Sequence, residues 1–200
     1  MEIKPLFVTK LYRAALVGVD NAALLKSCRV IAEDDEAGLS WSREHGYKGY
    51  TSYASLDDLP RRDPEFGALV KALDKHAAAF ARELHLDLER RKLKLDSIWI
   101  NVLEPNGVHT SHIHPHSVLS GTYYVDVPNN ASALKLEDPR HAMMMAAPKR
   151  LDDAPENERT FVYIAPKAGE VLMWESFVRH EVPMNQARKS RVSVSFNYGW

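Results

Sequence analysis

Histidines are concentrated in one short segment of this chain. Four of them fall between residues 109 and 116, and another, His180, lies alone in a later segment that has the pattern of a strand. Imidazole is the side chain that most often binds transition metals in proteins. Side chains alternate along an extended strand, so His112 and His114 should point to one face. We predict that these two residues and His180 form a single metal site.

A second polar pattern begins at Arg191. In a strand, the side chains of Arg191, Ser193, Ser195 and Asn197 would share one face, opposite Val192, Val194 and Phe196. A polar row on an inward face costs free energy unless something polar occupies the cavity. Arginine binds carboxylates through a planar, two-pronged geometry, so we expect an anionic ligand beside Arg191.

Short strands must position these residues. From Leu95 onward, short apolar segments alternate with Pro, Asn and Gly, which indicates a sandwich or barrel. The predicted strands cover residues 97–103, 108–112, 120–127, 133–137, 160–164, 170–174, 180–183 and 191–198. No element is predicted between residues 139 and 159, and a loop of this length is typical of a lid, a binding loop or a disordered segment.

The first half of the chain predicts two helices. Asp20 is a suitable cap for a helix that ends near Glu33, and Asp63 followed by Pro64 begins a second helix that continues to Leu84. An opening strand is predicted within residues 6–11, and residues 38–58 are predicted to be loop with a strand near 50–53. We expect one domain over residues 1–200, with a helical support region at 1–95 and a β core at 96–200.

Composition excludes several classes of protein. Hydrophobic residues make up 45% and charged residues 26% of the chain, which is ordinary for a globular protein. The formal net charge of -1 gives no reason to expect a nucleic acid or a membrane surface as a partner. The N-terminus lacks an apolar leader and no run is long enough to span a membrane, so a cytoplasmic location is expected. A homodimer is compatible with the sequence, which contains no signal for the oligomeric state.

The histidine and arginine motifs resemble those of a known family. The strings His112-Ile113-His114-Pro115 and Ser120-Gly121-Thr122-Tyr123-Tyr124, with a distal His180 and the string from Arg191 to Asn197, are similar to a small bacterial group of iron(II)- and 2-oxoglutarate-dependent oxygenases. The resemblance covers residues 97 to 200 and extends more loosely over the first half. It implies a double-stranded β-helix, the jelly-roll form of the sandwich.

The resemblance also implies residue roles. His112, His114 and His180 would bind Fe(II), and Arg191 would anchor the distal carboxylate of 2-oxoglutarate, the cosubstrate. Tyr124 would assist in binding the cosubstrate, and Ser193 and Asn101 are weaker candidates for the same role. The implied reaction is the hydroxylation of a small-molecule or peptide substrate, coupled to the decarboxylation of 2-oxoglutarate to succinate.

One position departs from the superfamily pattern. Most of these sites use two histidines and one carboxylate, whereas this chain has His114 at the position of the acid. Glu104 is the alternative acid, although its spacing does not fit the pair. His109, His116 and His141 are each expected at the surface or around the site rather than on the metal.

Two alternatives remain open on the sequence alone. Gly107, His112 and His114 approximate the first motif of the cupins, which share the jelly roll, but the glutamate expected a few residues later is absent. A three-histidine cupin dioxygenase would not use 2-oxoglutarate. The second alternative is a jelly roll that binds a metal or a small acid without turnover.

Overall fold

Ten strands form two antiparallel sheets in the computed structural model, which describes all 200 residues. The strands are β1 (Tyr12–Ala15), β2 (Gly49–Thr51), β3 (Lys94–Leu103), β4 (His109–His112), β5 (Leu119–Asp126), β6 (Leu134–Glu137), β7 (Phe161–Ile164), β8 (Glu170–Glu175), β9 (His180–Val182) and β10 (Arg191–Gly199). The larger sheet has the order β1-β8-β5-β10-β3-β2 and the smaller has the order β4-β9-β6-β7. This mainly β architecture is the predicted jelly roll.

Four helices cover one face of the larger sheet: α1 (Asn21–Asp34), α2 (Glu36–Glu44), α3 (Leu59–Arg62) and α4 (Pro64–Glu83). The Asp20 carboxylate accepts hydrogen bonds from two first-turn amides of α1, and Asp63 caps α4 with Pro64 as its first residue. Buried side chains of α1 and α4 join those of β3, β5, β8 and β10 in one hydrophobic core of 20 residues. None of the helices combines the length and apolar character that a membrane span requires.

The strand predictions after residue 95 are confirmed to within a few residues at each end. Both main helix predictions are also confirmed. Between β6 and β7 the chain forms only two short 3-10 turns, at His141–Met143 and Glu156–Glu158, in agreement with the absence of a predicted element there.

Two predictions for the first half need correction. No strand forms at residues 6–11, where Leu6 and Phe7 are exposed; the first strand is β1, which pairs with β8. Residues 38–58 are loop only in part, because α2 extends through Glu44; the strand predicted near residues 50–53 is confirmed as β2 (Gly49–Thr51). The residues that α2 buries are Gly38 and Ser42, so it lacks the apolar stripe that would reveal a helix.

That the chain forms a single domain remains our proposal. It is supported by hydrogen bonding between the two parts of the sequence: β1 pairs with β8, and β2 pairs with β3. The outer strands of the larger sheet therefore come from the first 95 residues.

Gly121 lies where two strands approach closely. A Cβ atom there would lie 2.4 Å from Phe196 Cζ and 2.6 Å from the Leu172 carbonyl oxygen. We therefore expect Gly121→Ala to lower the free energy of unfolding by about 1–3 kcal/mol, the usual cost of overpacking. Urea denaturation would measure this change.

Gly67→Ala is the matched control, because a Cβ atom on this α4 residue makes only an ordinary contact at 3.5 Å. Alanine in a helix interior should stabilise the protein by about 0.5–1 kcal/mol relative to glycine. Equal stability of the two variants would contradict the close approach at Gly121.

Candidate active site

The three histidines predicted to form a metal site lie together at one end of the smaller sheet. His112 of β4 is paired in register with His180 of β9, and their ring centroids are 4.3 Å apart. With His114, they place one ring nitrogen each within 4.8 Å of one another. The spacing is close enough for one metal ion to contact all three rings.

His114 reaches the group from outside the strand. β4 ends at His112, so the two histidines do not share a strand face as predicted. The backbone N–H of His114 donates to the carbonyl of Ser176 at 3.1 Å, which ties this segment to the residue that follows β8. The geometry of the turn therefore brings the third ring to the site.

Hydrogen bonds orient two of the rings. His112 Nδ1 lies 2.6 Å from the Thr110 carbonyl oxygen, and His180 Nδ1 lies 3.0 Å from the Val178 carbonyl oxygen. A carbonyl can only accept, so Nδ1 carries the proton in both rings and Nε2 retains its lone pair. This is the arrangement found in most metal-binding histidines.

Burial keeps the rings neutral. It lowers the pKa of His114 to about 4 and that of His180 to about 3, and it lowers the pKa of His112 as well. Repulsion between neighbouring histidines adds to the effect in His114 and His180. Neutral imidazole is the form that binds a metal, so the site is ready for one at neutral pH.

A cavity extends from the histidines into the jelly roll. Its empty volume is about 480 Å³, including its open mouth. Most of the residues that line it are not hydrophobic, with Arg191, Ser193 and Ser195 contributed by β10 and Asn101 by β3. Arg191 and all three histidines line this cavity, as the sequence predicted for a ligand that contacts both.

Arg191 is buried without an acidic partner. One of its terminal nitrogens donates to the Ser132 carbonyl at 3.1 Å, while its Nε has no hydrogen-bond partner and no carboxylate lies within ion-pair distance. The guanidinium carbon lies 5.6 Å from the centroid of the Tyr124 ring. A buried cation in this state requires a counter-charge, and an anionic ligand in the cavity would supply it.

Two further buried groups in the cavity wall lack partners, the Tyr124 hydroxyl and the Trp174 indole N–H. Burial raises the pKa of Tyr124, so its hydroxyl remains protonated and can donate. Trp174 is buried in the smaller hydrophobic core and also lines the cavity, where its ring centroid lies 4.7 Å from that of His180.

The weaker candidates differ in their availability. The Asn101 amide accepts from Thr51 Oγ1 at 2.9 Å and donates to Ser195 Oγ at 3.0 Å, so both of its ends already have protein partners. Ser193 lies between Arg191 and Ser195 along β10, and it is buried in the cavity wall.

His109, expected at the surface or around the site, lines the cavity without belonging to the three-histidine group. An irregularity of the β4–β9 pairing between His109 and His112 turns both rings to the same side, with centroids 4.9 Å apart. Simple alternation puts residues three apart on opposite faces, so only the irregularity explains this position. His109 also lies edge-on to Tyr47, at a centroid distance of 5.7 Å.

No carboxylate replaces His114. Glu104 is exposed and lies outside the three-histidine group. Glu181 is the acid in the cavity lining, and it is ion-paired with Lys135 at 2.8 Å. The candidate metal ligands are therefore three neutral imidazoles.

Comparison with known families decides the class of protein. Residues 97–197 match the model of the family described as "Putative 2OG-Fe(II) oxygenase". The chain belongs to this family. It is an oxygenase that depends on iron(II) and 2-oxoglutarate, and the three neutral imidazoles beside an unpaired buried arginine fit both groups. The match favours this class over the cupin alternative.

Solved structures with the same fold agree with the family. A prolyl-4-hydroxylase from Pseudomonas putida has a TM-score of 0.61 at 16% identity, over 96% of this chain and 94% of that one. The α-ketoglutarate-dependent carbocyclase SnoK from nogalamycin biosynthesis has a TM-score of 0.63 at 14% identity, over 95% and 79% of the two chains. HygX from Streptomyces hygroscopicus, crystallised with nickel and 2-oxoglutarate, has a TM-score of 0.58 at 17% identity, over 96% and 82%. A search of curated protein sequences gives no significant match.

The lowered histidine pKa values predict how stability depends on pH. Burial, followed by the charges of His112 and Arg191, lowers the pKa of His109 to about 3, while an unfolded histidine titrates near 6.5. Between these values the unfolded chain binds protons that the folded chain does not, so stability falls as the pH is lowered. Urea denaturation of the metal-free protein should show a lower free energy of unfolding at pH 5 than at pH 7.

The His109→Phe variant isolates this contribution, since it retains an aromatic ring against His112 and removes one titrating group. We expect a shallower decrease of stability between pH 6.5 and pH 4 than in the original protein. Carboxylates titrate equally in both proteins, so identical slopes would show that His109 is not held neutral by the fold.

Proposed function

We propose that His112, His114 and His180 hold iron(II) through Nε2 and that Arg191 binds the distal carboxylate of 2-oxoglutarate. In the proposed reaction 2-oxoglutarate, dioxygen and a substrate C–H bond yield succinate, carbon dioxide and a hydroxylated substrate. The observation that carries this proposal is the convergence of three neutral imidazoles beside a buried arginine that has no acidic partner.

The residues around Arg191 are suited to a dicarboxylate. Its free Nε and the Tyr124 hydroxyl are buried donors in one wall of the cavity that the histidines also line. Hydrogen bonds from both donors to one carboxylate would satisfy groups that are otherwise buried without partners. Ser193 adds a hydroxyl to the same wall, whereas Asn101 holds Ser195 and Thr51 in place.

The three-histidine set has an electrostatic consequence. Iron(II) bound by two histidines and one carboxylate has a formal charge of one, whereas three neutral imidazoles leave its full double charge. The dianion of 2-oxoglutarate would neutralise that charge, and its interaction with Arg191 adds to the attraction. Binding of the cosubstrate should therefore be favoured by charge at both of its ends.

Iron(II), when bound, would supply the oxidising chemistry together with 2-oxoglutarate and dioxygen. The protein's own residues would hold the ligands in place, keep the Tyr124 hydroxyl protonated, and exclude water with the buried rings of Trp99 and Trp174. The substrate would enter through the mouth of the cavity, and we propose a small molecule or a peptide. The fold is shared by a prolyl-4-hydroxylase, which agrees with hydroxylation as the outcome.

Removal of one imidazole tests the metal site. His180→Ala should abolish stoichiometric binding of iron(II) in anaerobic calorimetry, because only two ligands remain. His116→Ala is the control, since His116 is exposed and lies outside the three-histidine group. Unchanged iron binding by the His180→Ala protein would exclude His180 as a ligand.

Replacement of the buried arginine tests the cosubstrate site. Arg191→Met should raise the KM for 2-oxoglutarate at least thirtyfold, which corresponds to about 2 kcal/mol, the lower end of the cost of breaking a buried charge pair. Arg188→Met changes an exposed arginine three residues away and should leave this KM unchanged. A normal KM for 2-oxoglutarate in the Arg191→Met protein would refute the role of Arg191 in binding the distal carboxylate.

Two assays separate the proposal from its alternatives. Anaerobic addition of iron(II) and 2-oxoglutarate should produce a visible charge-transfer absorption, since the proposed mode of binding would bring the cosubstrate directly onto the metal. In air, the protein should form succinate slowly from 2-oxoglutarate without a substrate. A cupin-type dioxygenase would produce neither signal, and a non-catalytic binder would produce the absorption without succinate.

A further inference from the structure

The side chain of Asn197 lies beside the third candidate ligand. Its amide nitrogen is 3.3 Å from His114 Nδ1 and 3.0 Å from Ser97 Oγ, and its amide oxygen accepts from Ser120 Oγ at 2.8 Å. Asn197 and Ser120 are both buried. Ser120 Oγ is also 2.8 Å from Ser176 Oγ, so the amide belongs to a closed network of hydroxyl groups.

The direction of this hydrogen bond determines which nitrogen of His114 is available. An amide N–H that donates to Nδ1 leaves the ring proton on Nε2, the nitrogen needed for the metal if His114 binds as its neighbours do. An amide oxygen at the same position would accept from Nδ1–H and leave the Nε2 lone pair free. The two orientations differ by a half-turn of the amide, which has nearly the same shape in both.

The surrounding groups permit the half-turn. Serine hydroxyls can donate or accept, so Ser97 Oγ can donate to the amide oxygen while Ser120 Oγ accepts from the amide nitrogen. Ser120 can then donate to Ser176. Of the three partners of the Asn197 amide, only His114 distinguishes the two orientations, because a metal requires one particular tautomer of its ring.

We propose that Asn197 is a positioning residue for His114, and that its amide turns its oxygen toward Nδ1–H when the site binds a metal. This inference rests on the proposed role of His114 as a ligand. His112 and His180 obtain the same proton arrangement from backbone carbonyls. His114 lies beyond the end of β4, and the side chain of Asn197 takes the place of the carbonyl.

The need for such a residue follows from the departure at position 114. A carboxylate binds a metal with either oxygen and has no tautomer to select. A histidine at the same position binds through Nε2 only if its proton is kept on Nδ1. Ser176 assists in the same task, because its carbonyl accepts from the His114 backbone and its hydroxyl belongs to the Asn197 network.

Nitrogen NMR of the histidine rings tests the orientation directly. In protein labelled with ¹⁵N-histidine and loaded with zinc, we expect His114 to carry its proton on Nδ1. The Asn197→Asp variant, whose carboxylate can only accept, should show this tautomer even without a metal. A proton on Nε2 of His114 in either sample would overturn the proposal.

Metal affinity gives a second measurement that does not depend on turnover. Asn197→Leu should weaken cobalt(II) binding roughly 10- to 100-fold, the usual effect of removing a group that orients a metal ligand. Asn197→Asp should bind cobalt(II) at least as tightly as the original protein. Equal losses in the two variants would show that Asn197 acts only through packing and would refute the hydrogen-bond role.

Asn21→Leu is the matched control, because the Asn21 amide also bridges two groups but contacts Val125 and Tyr123 instead of a histidine. It should leave cobalt(II) affinity unchanged.

His114→Ala separates the two proposals. If this variant retains full metal affinity, the assignment of His114 as a ligand fails, whereas the tautomer of His114 in the Asn197→Asp protein tests the Asn197 contact by itself. If Asn197→Leu does not fold, the comparison of the Asn197→Asp and original proteins still decides the question.

Discussion

The pairing of β4 with β9 sets His112 directly opposite His180, and the geometry of the candidate active site depends on this register. The two strands contain only four and three residues, so few ladder hydrogen bonds hold them. A shift of one residue would turn one of the rings to the other face of the sheet. The pairing of β9 with β6 on its other side, where Leu136 faces His180, restricts such a shift. The irregularity at His109 then adds a further ring to the same wall.

Several polar groups without protein partners are buried close to the paired strands β4 and β9. Three imidazoles are held neutral by burial, and the guanidinium of Arg191 has no acidic partner. Such an arrangement lowers the free energy of unfolding of the protein without its ligands, because buried charges and unpaired donors cost free energy. The cost is recovered when a cation and a dianion enter together. Binding and stability are therefore coupled, as is usual where a site is built for ligands rather than for packing.

Strand β10 joins the hydrophobic core to the site. Its apolar side chains, Val192, Val194 and Phe196, pack toward the helices, and Arg191, Ser193 and Ser195 face the cavity. Because α1 and α4 bury the outer face of the larger sheet, the inner face is free to carry Arg191 and Asn197. The helical region thus supplies the stability that allows a polar interior on the other side of the same strand.

The sequence by itself determined the strands after residue 95 and the α1 and α4 helices, because period-two alternation and capping residues are local signals. It also predicted that His112, His114, His180 and Arg191 share one site, but from their residue types, since the strand face expected for His112 and His114 does not form. It did not reveal α2, whose buried positions are Gly38 and Ser42, or the position of His109, which depends on an irregularity in strand pairing. The tertiary structure alone decided that His114 reaches the site from a turn, that Trp174 lies at the cavity wall, and that Asn197 contacts His114. These features arise between segments far apart in the chain, where the pairing of strands, rather than the spacing of residues, sets the distances.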